Sequence, residues 1–336
     1  MSSPAGSAEG AGWDLRLREW PAANLLQSYG WGEVQGRAGW QIHRLEVAGP
    51  TGTLPVSVQV APVGLAGRSR IYVPRGPVCA ATDLALFEQL EQVLVAFGRE
   101  HRALAIELEV PWLAGTVPAG HPWLGWAPCR PRQPMATVVV DLRPEPDAIL
   151  ASFRDKTRYN VRLAERRGVV VDEDASLQSL AACIGATESR QRIHLPSPGH
   201  LAQVRDQLGE AGHILAAEVD GEVVAAILTA NFAGVSIYLY GGATGRYRER
   251  MPNQLLQWRA MLQARAEGCH HYDLWGVPEN DDPRHPWRGL AQFKLGFGGE
   301  QIRYAGARFR QLQVVGGTFL QVTDAARRFL RTRGRR

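Results

Sequence analysis

The order of apolar and polar residues in the first half of the chain predicts four strands and one helix. Short apolar stretches bounded by turn residues indicate strands, and apolar residues recur at helical spacing between 83 and 100. The segment Gly-Pro-Thr-Gly at 49–52 separates two of the strands and is typical of a hairpin turn. Along the chain we expect strand, strand, strand, helix and strand at 41–47, 53–63, 70–73, 83–100 and 103–109.

The second half of the chain repeats this order. The dipeptide Asp220-Gly221 predicts a two-residue hairpin turn, and Pro252 suits the first turn of a helix. The corresponding elements are expected at 213–219, 222–230, 235–240, 252–267 and 270–274. The repeat predicts two similar α/β domains whose order fits an acetyltransferase-like (GNAT) half, although such an analogy says little about chemistry.

A basic segment joins the two halves. A strand is predicted at 137–142 and one long helix at 147–167, within which arginines recur every four residues and therefore share a face: Arg154, Arg158, Arg162 and Arg166. Two interpretations stay open. The face is simply solvated, or it is an electrostatic track for phosphates, RNA or a nucleotide diphosphate.

The last twenty residues, 317–336, are also basic and amphipathic. One hypothesis is a helix that packs on the first domain and offers its arginines to anionic lipid or RNA. The alternative is a plain helix followed by a disordered basic tail.

Composition narrows the class of protein. A chain of 336 residues predicts two domains, and it has no run of 18 apolar residues and no signal-like N-terminus. Its four cysteines are far apart and lack zinc or disulfide spacing, which favours a reducing cytoplasm. The net charge of +5 is modest, and only two of the 38 basic residues, Lys156 and Lys294, are lysines.

Common catalytic motifs are absent from the sequence, which has no GxSxG, HExxH, Walker or strand-linked GxGxxG pattern. Neighbouring His270 and His271 open a predicted strand and so point to opposite faces. The glycine-rich stretch 241–248 lacks the spacing of a CoA pyrophosphate turn, which disfavours CoA. The stretch 289–300 pairs aromatic residues with Lys294 and could stack a base and neutralise a phosphate or an oxyanion. A plain glycine-rich turn is the alternative for this stretch.

Six segments together resemble the Fem (FemABX) family of aminoacyl-tRNA-dependent non-ribosomal peptidyltransferases, which build peptidoglycan interpeptide bridges. In order they are LQSYGWGE at 26–33, YVPRGPV at 72–78, KTRYNVRLA at 156–164 with GV at 168–169, YLYGGA at 238–243, YDLWGV at 272–277, and FK at 293–294 with FGG at 297–299.

The resemblance implies an α/β fold of two tandem GNAT-like domains. The first comprises 13–145 plus a returning C-terminal helix at 312–333, and binds the precursor. The second, 146–311, binds the aminoacyl-tRNA acceptor end, while 1–12 and 334–336 are flexible termini. Because 168–212 is too short for the coiled-coil arm of some members, we expect an armless, FemX-like protein.

The resemblance also implies roles for individual residues. Lys294 and Glu109 are the expected catalytic residues, the latter as a base whose Glu-Val-Pro context is shifted from the family pattern. The residues expected at the tRNA are Phe293, Lys294, Phe297, Lys156 and Arg158. Those expected at the acceptor substrate are Arg190, Tyr240, Gln35, Arg37, Arg75 and His194. Gln35 stands where the family has a lysine for the diphosphate, and Arg37 could compensate.

These roles predict a cytoplasmic aminoacyltransferase that needs no metal or organic cofactor. Its expected partners are aminoacyl-tRNA and either UDP-MurNAc-pentapeptide or lipid II, with no DNA, and peripheral contact with the inner membrane face is left open. Three alternatives remain: a CoA-dependent N-acyltransferase, a non-catalytic RNA- or membrane-binding protein, and a Fem-like transferase acting on an amine outside the cell wall.

Overall fold

The computed structural model of the chain describes residues 8–64, 67–191, 194–280, 282 and 284–313. These residues form two compact units. The N-terminal unit comprises Gly12–Gln133 and continues from Tyr304, and the C-terminal unit is Pro134–Arg303, to which the residues before Gly12 are assigned. The helix expected at 312–333 and the tail at 334–336 lie outside the described residues, except for the first two positions of that range.

The N-terminal unit is a six-stranded sheet with the order β1-β2-β3-β4-β13-β5. Its β1 and β2 form the predicted hairpin, closed by Gly49 opposite Gly52. The parallel pair β3 and β4 is joined through α3, which buries Leu86, Phe87 and Leu90 against the sheet. The elements are α1 (Ala8–Arg18), α2 (Tyr29–Arg37), β1 (Gln41–Gly49), β2 (Gly52–Val63), β3 (Arg68–Val73), α3 (Leu84–Glu100), β4 (Ala103–Glu109), β5 (Ala127–Pro128) and β13 (Ala307–Gln311).

The C-terminal unit is a seven-stranded sheet with the order β12-β6-β11-β10-β9-β8-β7. Its turn Asp220-Gly221 has φ values of 53° and 79°, as the predicted two-residue hairpin requires. The elements are β6 (Ala136–Asp141), α4 (Pro146–Ser152), α5 (Asp155–Arg166), β7 (Val170–Asp172), α6 (Leu177–Gln191), α7 (Pro198–Leu208), β8 (Gly212–Val219), β9 (Glu222–Phe232), β10 (Val235–Ala243), α8 (Pro252–Ala266), β11 (His271–Val277), α9 (Arg288–Leu295) and β12 (Glu300–Arg303).

The predicted duplication is present in the structure. In the first half, β1–β2 and β2–β3 are antiparallel, and β3 is parallel to β4, which follows it after α3. In the second half, β8–β9 and β9–β10 are antiparallel, and β10 is parallel to β11, which follows it after α8. Between β7 and β8 the described residues form α6 and α7 instead of a coiled-coil arm.

Three features differ from the sequence prediction. β6 pairs with β11 and β12, and β13 pairs with β4, so these two strands belong to the unit opposite to the one expected. The expected helix 147–167 is two helices, because Phe153 has an extended ψ of 146° and a buried ring. Residues 8–12, expected as a flexible terminus, begin α1.

Within the described residues, no helix has the length and apolar character needed to cross a membrane. The same residues contain no cluster of three or more histidine, cysteine or acidic side chains that could hold a metal ion.

Candidate active site

The candidate active site of the C-terminal unit lies where β10 and β11 separate. The two strands pair only over three residues each, Val235–Ile237 of β10 with His271–Asp273 of β11. Beyond these residues β10 remains paired with β9, and β11 remains paired with β6. Each strand also carries one extra residue there, between Tyr238 and Tyr240 in β10 and between Asp273 and Gly276 in β11. Backbone groups that would have paired across the two strands therefore face a gap.

Lys294 fills this gap from α9. Its side chain is only 4% exposed, and Nζ donates hydrogen bonds to the carbonyl oxygens of Trp275 at 3.2 Å and Gly276 at 2.9 Å. On the β10 side, Nζ lies 5.7 Å from the centroid of the Tyr238 ring, within the range of a cation–π interaction. One buried ammonium group therefore contacts both separating strands.

The two carbonyls are presented by a strained turn in β11. Trp275 has a φ of 61°, which is uncommon for a residue with a bulky side chain. The Asp273 carboxylate accepts its backbone N–H at 2.7 Å and also accepts the Thr137 hydroxyl from β6. Asp273 and Thr137 are both buried, so their hydrogen bonds hold the bulge in place.

Opposing effects set the charge state of Lys294. Burial lowers the pKa of the Lys294 ammonium to about 8, and the neighbouring Asp273 carboxylate limits that shift by favouring the charged form. Below this pKa the group is a buried cation with few water contacts, the type of group that stabilises a developing oxyanion. Above it, the amine is neutral.

Phe293 and Phe297, both predicted to lie at the tRNA, differ in their exposure. Phe293 is half-buried and precedes Lys294 in α9. Phe297 is completely buried, and its ring packs edge-on against Phe293 at 5.1 Å and Phe153 at 5.2 Å. The expected direct contact of Phe297 with tRNA is therefore not supported, because its ring has no accessible surface.

Two of the expected substrate residues lie near the end of β10. The Tyr240 hydroxyl lies 3.1 Å from Nε2 of His200, and burial raises the pKa of this phenol to about 12. Arg190 of α6 donates to the carbonyl of Ala243 at 2.8 Å, three residues beyond Tyr240. His194, also expected at the substrate, is exposed, with Nδ1 3.2 Å from the Glu188 carboxylate.

Three backbone N–H groups of the glycine-rich stretch 241–248 already donate to partners within the protein. The N–H of Ala243 donates to the Thr187 hydroxyl at 2.9 Å, and the N–H of Thr244 donates to the Val224 carbonyl at 2.9 Å. The N–H of Arg246 donates to the Thr244 hydroxyl. A Cβ at Gly242 would lie 2.4 Å from the Cys183 carbonyl oxygen. The glycine therefore permits close packing of α6 on the strand.

Glu109 is the centre of a separate cluster in the N-terminal unit. It is 1% exposed, and Oε1 accepts the backbone N–H groups of Arg132 at 2.7 Å and Gln133 at 2.9 Å. Oε2 accepts the hydroxyl of Tyr72. Burial raises the pKa of the Glu109 carboxyl, while these hydrogen bonds and the nearby Arg75 lower it. Both oxygens are therefore engaged with the protein itself.

Three further expected substrate residues lie in the N-terminal unit. Arg75 is buried, with a φ of 44° and its guanidinium 3.5 Å from the centroid of the Tyr304 ring. Gln35 and Arg37 lie on the last turns of α2, the first half-buried and the second exposed.

Lys156 and Arg158, expected at the tRNA, differ in their surroundings. Lys156 is exposed in the first turn of α5. Arg158 donates to the carbonyls of Ala151 at 2.9 Å and Phe153 at 3.0 Å and pairs with Asp155. The guanidinium of Arg158 therefore caps the end of α4, which gives it a structural role.

The structure thus groups the predicted residues by unit. Lys294 and Phe293 lie together in the C-terminal unit, as do Tyr240 and Arg190, whereas Glu109 and Arg75 lie in the N-terminal unit. Sequence reasoning missed the partners of these residues, which are Asp273, Thr137, His200 and Tyr72. The segment YDLWGV contained a signal for Asp273, because an acid within an otherwise apolar strand must find a buried partner.

Comparisons with known proteins agree with this architecture. Residues 17–117 and 196–311 match the model of the FemAB family. A lipid II:glycine glycyltransferase of Staphylococcus saprophyticus subsp. saprophyticus is 21% identical over 367 residues, an alignment covering 85% of this chain and 87% of that protein. The resemblance to the Fem family is therefore confirmed.

Solved structures confirm the fold. The crystal structure of FemX superimposes with a TM-score of 0.83 at 18% identity, covering 90% of this chain and 96% of that chain. A tandem GNAT protein from the clavulanic acid biosynthesis pathway gives a TM-score of 0.51 at 13% identity, covering 94% of this chain and 98% of that chain. The predicted architecture of two tandem GNAT-like halves is confirmed.

Proposed function

Because this chain belongs to the FemAB family, we propose that it is an aminoacyltransferase of peptidoglycan synthesis. It transfers an amino acid from aminoacyl-tRNA to the side-chain amine of a precursor stem peptide and so forms an interpeptide bridge. The similarity to lipid II:glycine glycyltransferases supports a transferase acting on such a precursor. The observation that carries the proposal is the buried Lys294 ammonium, held between two separating strands.

The chemistry needs a positioned cation. An aminoacyl ester is already activated, so the acceptor amine adds to the ester carbonyl and forms a tetrahedral intermediate with a negatively charged oxygen. The new C–N bond is kept, the C–O bond to the ribose breaks, and the ribose hydroxyl leaves with a proton. Lys294 stabilises the charged oxygen, and its burial makes the interaction stronger than it would be in water.

The amine must lose a proton before or during attack. The family resemblance predicts Glu109 as the base, but three donors from the protein already bond its two oxygens. These contacts favour a positioning role for Glu109, in which it fixes the backbone at Arg132 and Gln133. In that case the attacking amine gives its proton to water or to the substrate.

The acceptor is a muramyl-pentapeptide, either as the soluble nucleotide UDP-MurNAc-pentapeptide or as lipid II. The residues proposed to contact this acceptor remain Arg190, Tyr240, Arg75, Gln35, Arg37 and His194. The reaction would take place in the cytoplasm, with peripheral contact at the inner membrane face if the acceptor is lipid-linked.

The tandem GNAT fold gives a second candidate function, that of a CoA-dependent N-acyltransferase. Such an enzyme needs free backbone N–H groups to bind the pyrophosphate. In the stretch 241–248 the N–H groups of Ala243, Thr244 and Arg246 already have partners within the protein. This occupation favours the aminoacyl-tRNA donor over CoA.

The test is transfer of label from a set of radiolabelled aminoacyl-tRNAs to UDP-MurNAc-pentapeptide and to lipid II. We expect transfer from at least one donor. Lys294→Met should lower the rate at saturation by roughly 100- to 1000-fold, as loss of an oxyanion-stabilising group does elsewhere. Lys156→Met, which replaces the other lysine, should instead raise the donor KM. Transfer from acetyl-CoA, with none from any aminoacyl-tRNA, would refute the proposal.

A further inference from the structure

The exposed face of α5 carries cations without acidic partners. We define the α5 basic face by five exposed residues: Arg154, Lys156, Tyr159, Arg162 and Arg166. Among the described residues, no carboxylate pairs with any of its four basic side chains. Tyr159 is 57% exposed between them, and the Arg166 guanidinium lies 5.9 Å from the centroid of its ring.

The packing of α5 fixes which residues form this face. Asn160, Val161 and Ala164 are buried and hold the opposite side of the helix on the C-terminal unit. Tyr159, Arg162 and Arg166 are spaced by three and four residues and therefore share a side of the helix. From Lys156 to Arg166 the charges extend over roughly 15 Å, at 1.5 Å per residue.

The start of α5 contacts the end of the helix that carries Lys294. The backbone N–H of Arg154, at the start of α5, donates to the carbonyl of Gly296, just after α9, at 2.9 Å. A Cβ at Gly296 would lie 2.3 Å from Oγ1 of Thr157, so glycine permits this close contact between the two segments. A ligand that extends from Lys294 past the end of α9 would reach α5.

We propose that the α5 basic face binds the sugar-phosphate backbone of the donor RNA's acceptor stem while Lys294 meets its aminoacyl end. This inference rests on the proposed aminoacyl-tRNA donor. Four basic side chains without acidic partners complement a polyanion, and an exposed tyrosine among them is suited to contact a sugar or a base. The face supplies affinity and orientation for the donor and takes no part in the chemical step.

The residue types on this face favour RNA over a membrane surface. A helix that lies in a bilayer interface needs exposed aliphatic or aromatic residues along one side. On α5 the apolar residues Val161 and Ala164 are buried, Leu163 is half-buried, and the exposed positions hold charged residues and one tyrosine. The face therefore offers charge without a hydrocarbon surface that could enter lipid.

The test compares two donors of different length. The first is the full aminoacyl-tRNA, and the second is a short aminoacyl oligonucleotide that carries only the unpaired 3′ end and lacks the acceptor stem. The variant is Arg162→Gln/Arg166→Gln. Its control is Arg246→Gln/Arg303→Gln, which removes the same charge from two exposed arginines of the same unit that pair with Glu222 and Glu279.

With full aminoacyl-tRNA, the α5 variant should raise KM roughly tenfold and leave the rate at saturation unchanged. The slope of log affinity against log salt should become shallower by about two, one for each phosphate that an arginine no longer neutralises. With the short donor, the variant and the wild type should have equal kinetics. The control variant should show neither change.

Other results would overturn the inference. An unchanged KM and salt slope with full aminoacyl-tRNA, while the wild type transfers from both donors, would exclude RNA contact by α5. Equal losses with the short donor would place the effect at the active site instead. Loss of binding to anionic lipid vesicles, without an effect on RNA, would assign the face to a membrane. If the wild type transferred from neither donor, the proposed function itself would fail.

Discussion

The Asp273 carboxylate accepts the backbone N–H of Trp275 at 2.7 Å, two residues further along the same strand. Trp275 has a left-handed φ of 61°, a conformation that costs about 1–3 kcal/mol for a residue of its type. The hydrogen bond offsets part of this cost, and the resulting bulge directs the carbonyls of Trp275 and Gly276 to Lys294. Asp273 therefore acts on Lys294 both through its charge and through the backbone it holds.

The first prediction concerns the pH dependence of transfer. Because the pKa of Lys294 is lowered to about 8, the single-turnover rate should fall as the pH rises through about 8 and the ammonium is lost. Asp273→Asn removes the charge that favours the ammonium, so this fall should begin at lower pH. Thr137→Val keeps the Asp273 charge and should therefore move this fall less than Asp273→Asn does. An identical profile for Asp273→Asn would show that Lys294 is not the titrating group.

The second prediction concerns stability. An unfolded lysine keeps its proton up to about pH 10.5, whereas Lys294 in the folded protein loses it near 8. Between these values the unfolded state binds more protons, so the free energy of unfolding rises with pH by up to about 3 kcal/mol from this group. Lys294→Met should lack this rise. The measurement is urea denaturation of both proteins at pH 7.5 and 10, and an equal change in both would contradict the prediction.

The third prediction separates two roles of Glu109. If Glu109 positions the backbone, Glu109→Gln should lower the free energy of unfolding by about 1–3 kcal/mol, because its amide cannot satisfy all three donors. The folded variant should retain transfer within about tenfold of the wild-type rate. Transfer assays and denaturation curves on the same preparation test both values. A rate loss of about a thousandfold at wild-type stability would instead identify Glu109 as the base.

The fourth prediction is that acetyl-CoA does not bind. Its pyrophosphate would have to displace Thr187 and Val224 from the backbone N–H groups of Ala243 and Thr244. Isothermal titration of the wild type with acetyl-CoA should therefore give no heat of binding at millimolar concentrations, chosen to detect Kd values up to about 1 mM. Saturable binding abolished by a substitution in the 241–248 stretch would contradict this.

The sequence predicted the repeated architecture well because its signals are local. Asp220 and Gly221 both adopt the positive φ values that their residue types favour in a two-residue hairpin turn. Gly49 pairs with Gly52 and so closes the first hairpin around a two-residue turn, as Val219 and Glu222 do around Asp220-Gly221. The helices α3 and α8 follow from apolar spacing and from residues such as Asp83, whose carboxylate accepts the N–H of Leu86 at the first turn.

The features that sequence reasoning missed depend on tertiary contacts. Helical spacing continued through Phe153, but its ring packs against Trp258 and Phe297, and this packing interrupts the helix. The glycines at 296, 298 and 299 belong to the stretch for which a ligand site or a plain turn was expected, and the structure packs them against α5, α4 and β6 respectively. The bulge at Trp275 likewise requires Thr137 and Asp273, which are far apart in sequence.

The position of β13 has a consequence for how the protein is made. This strand, 307–311, inserts between β4 and β5, so the N-terminal sheet takes its fifth member from a segment that follows the C-terminal unit. During translation, the edge of β4 that β13 pairs with stays open until residues 307–311 have left the ribosome. A nascent chain released before residue 307 would keep that edge unpaired, and such edges recruit other strands. The N-terminal sheet is therefore completed only after the C-terminal unit, 134–303, has been synthesised.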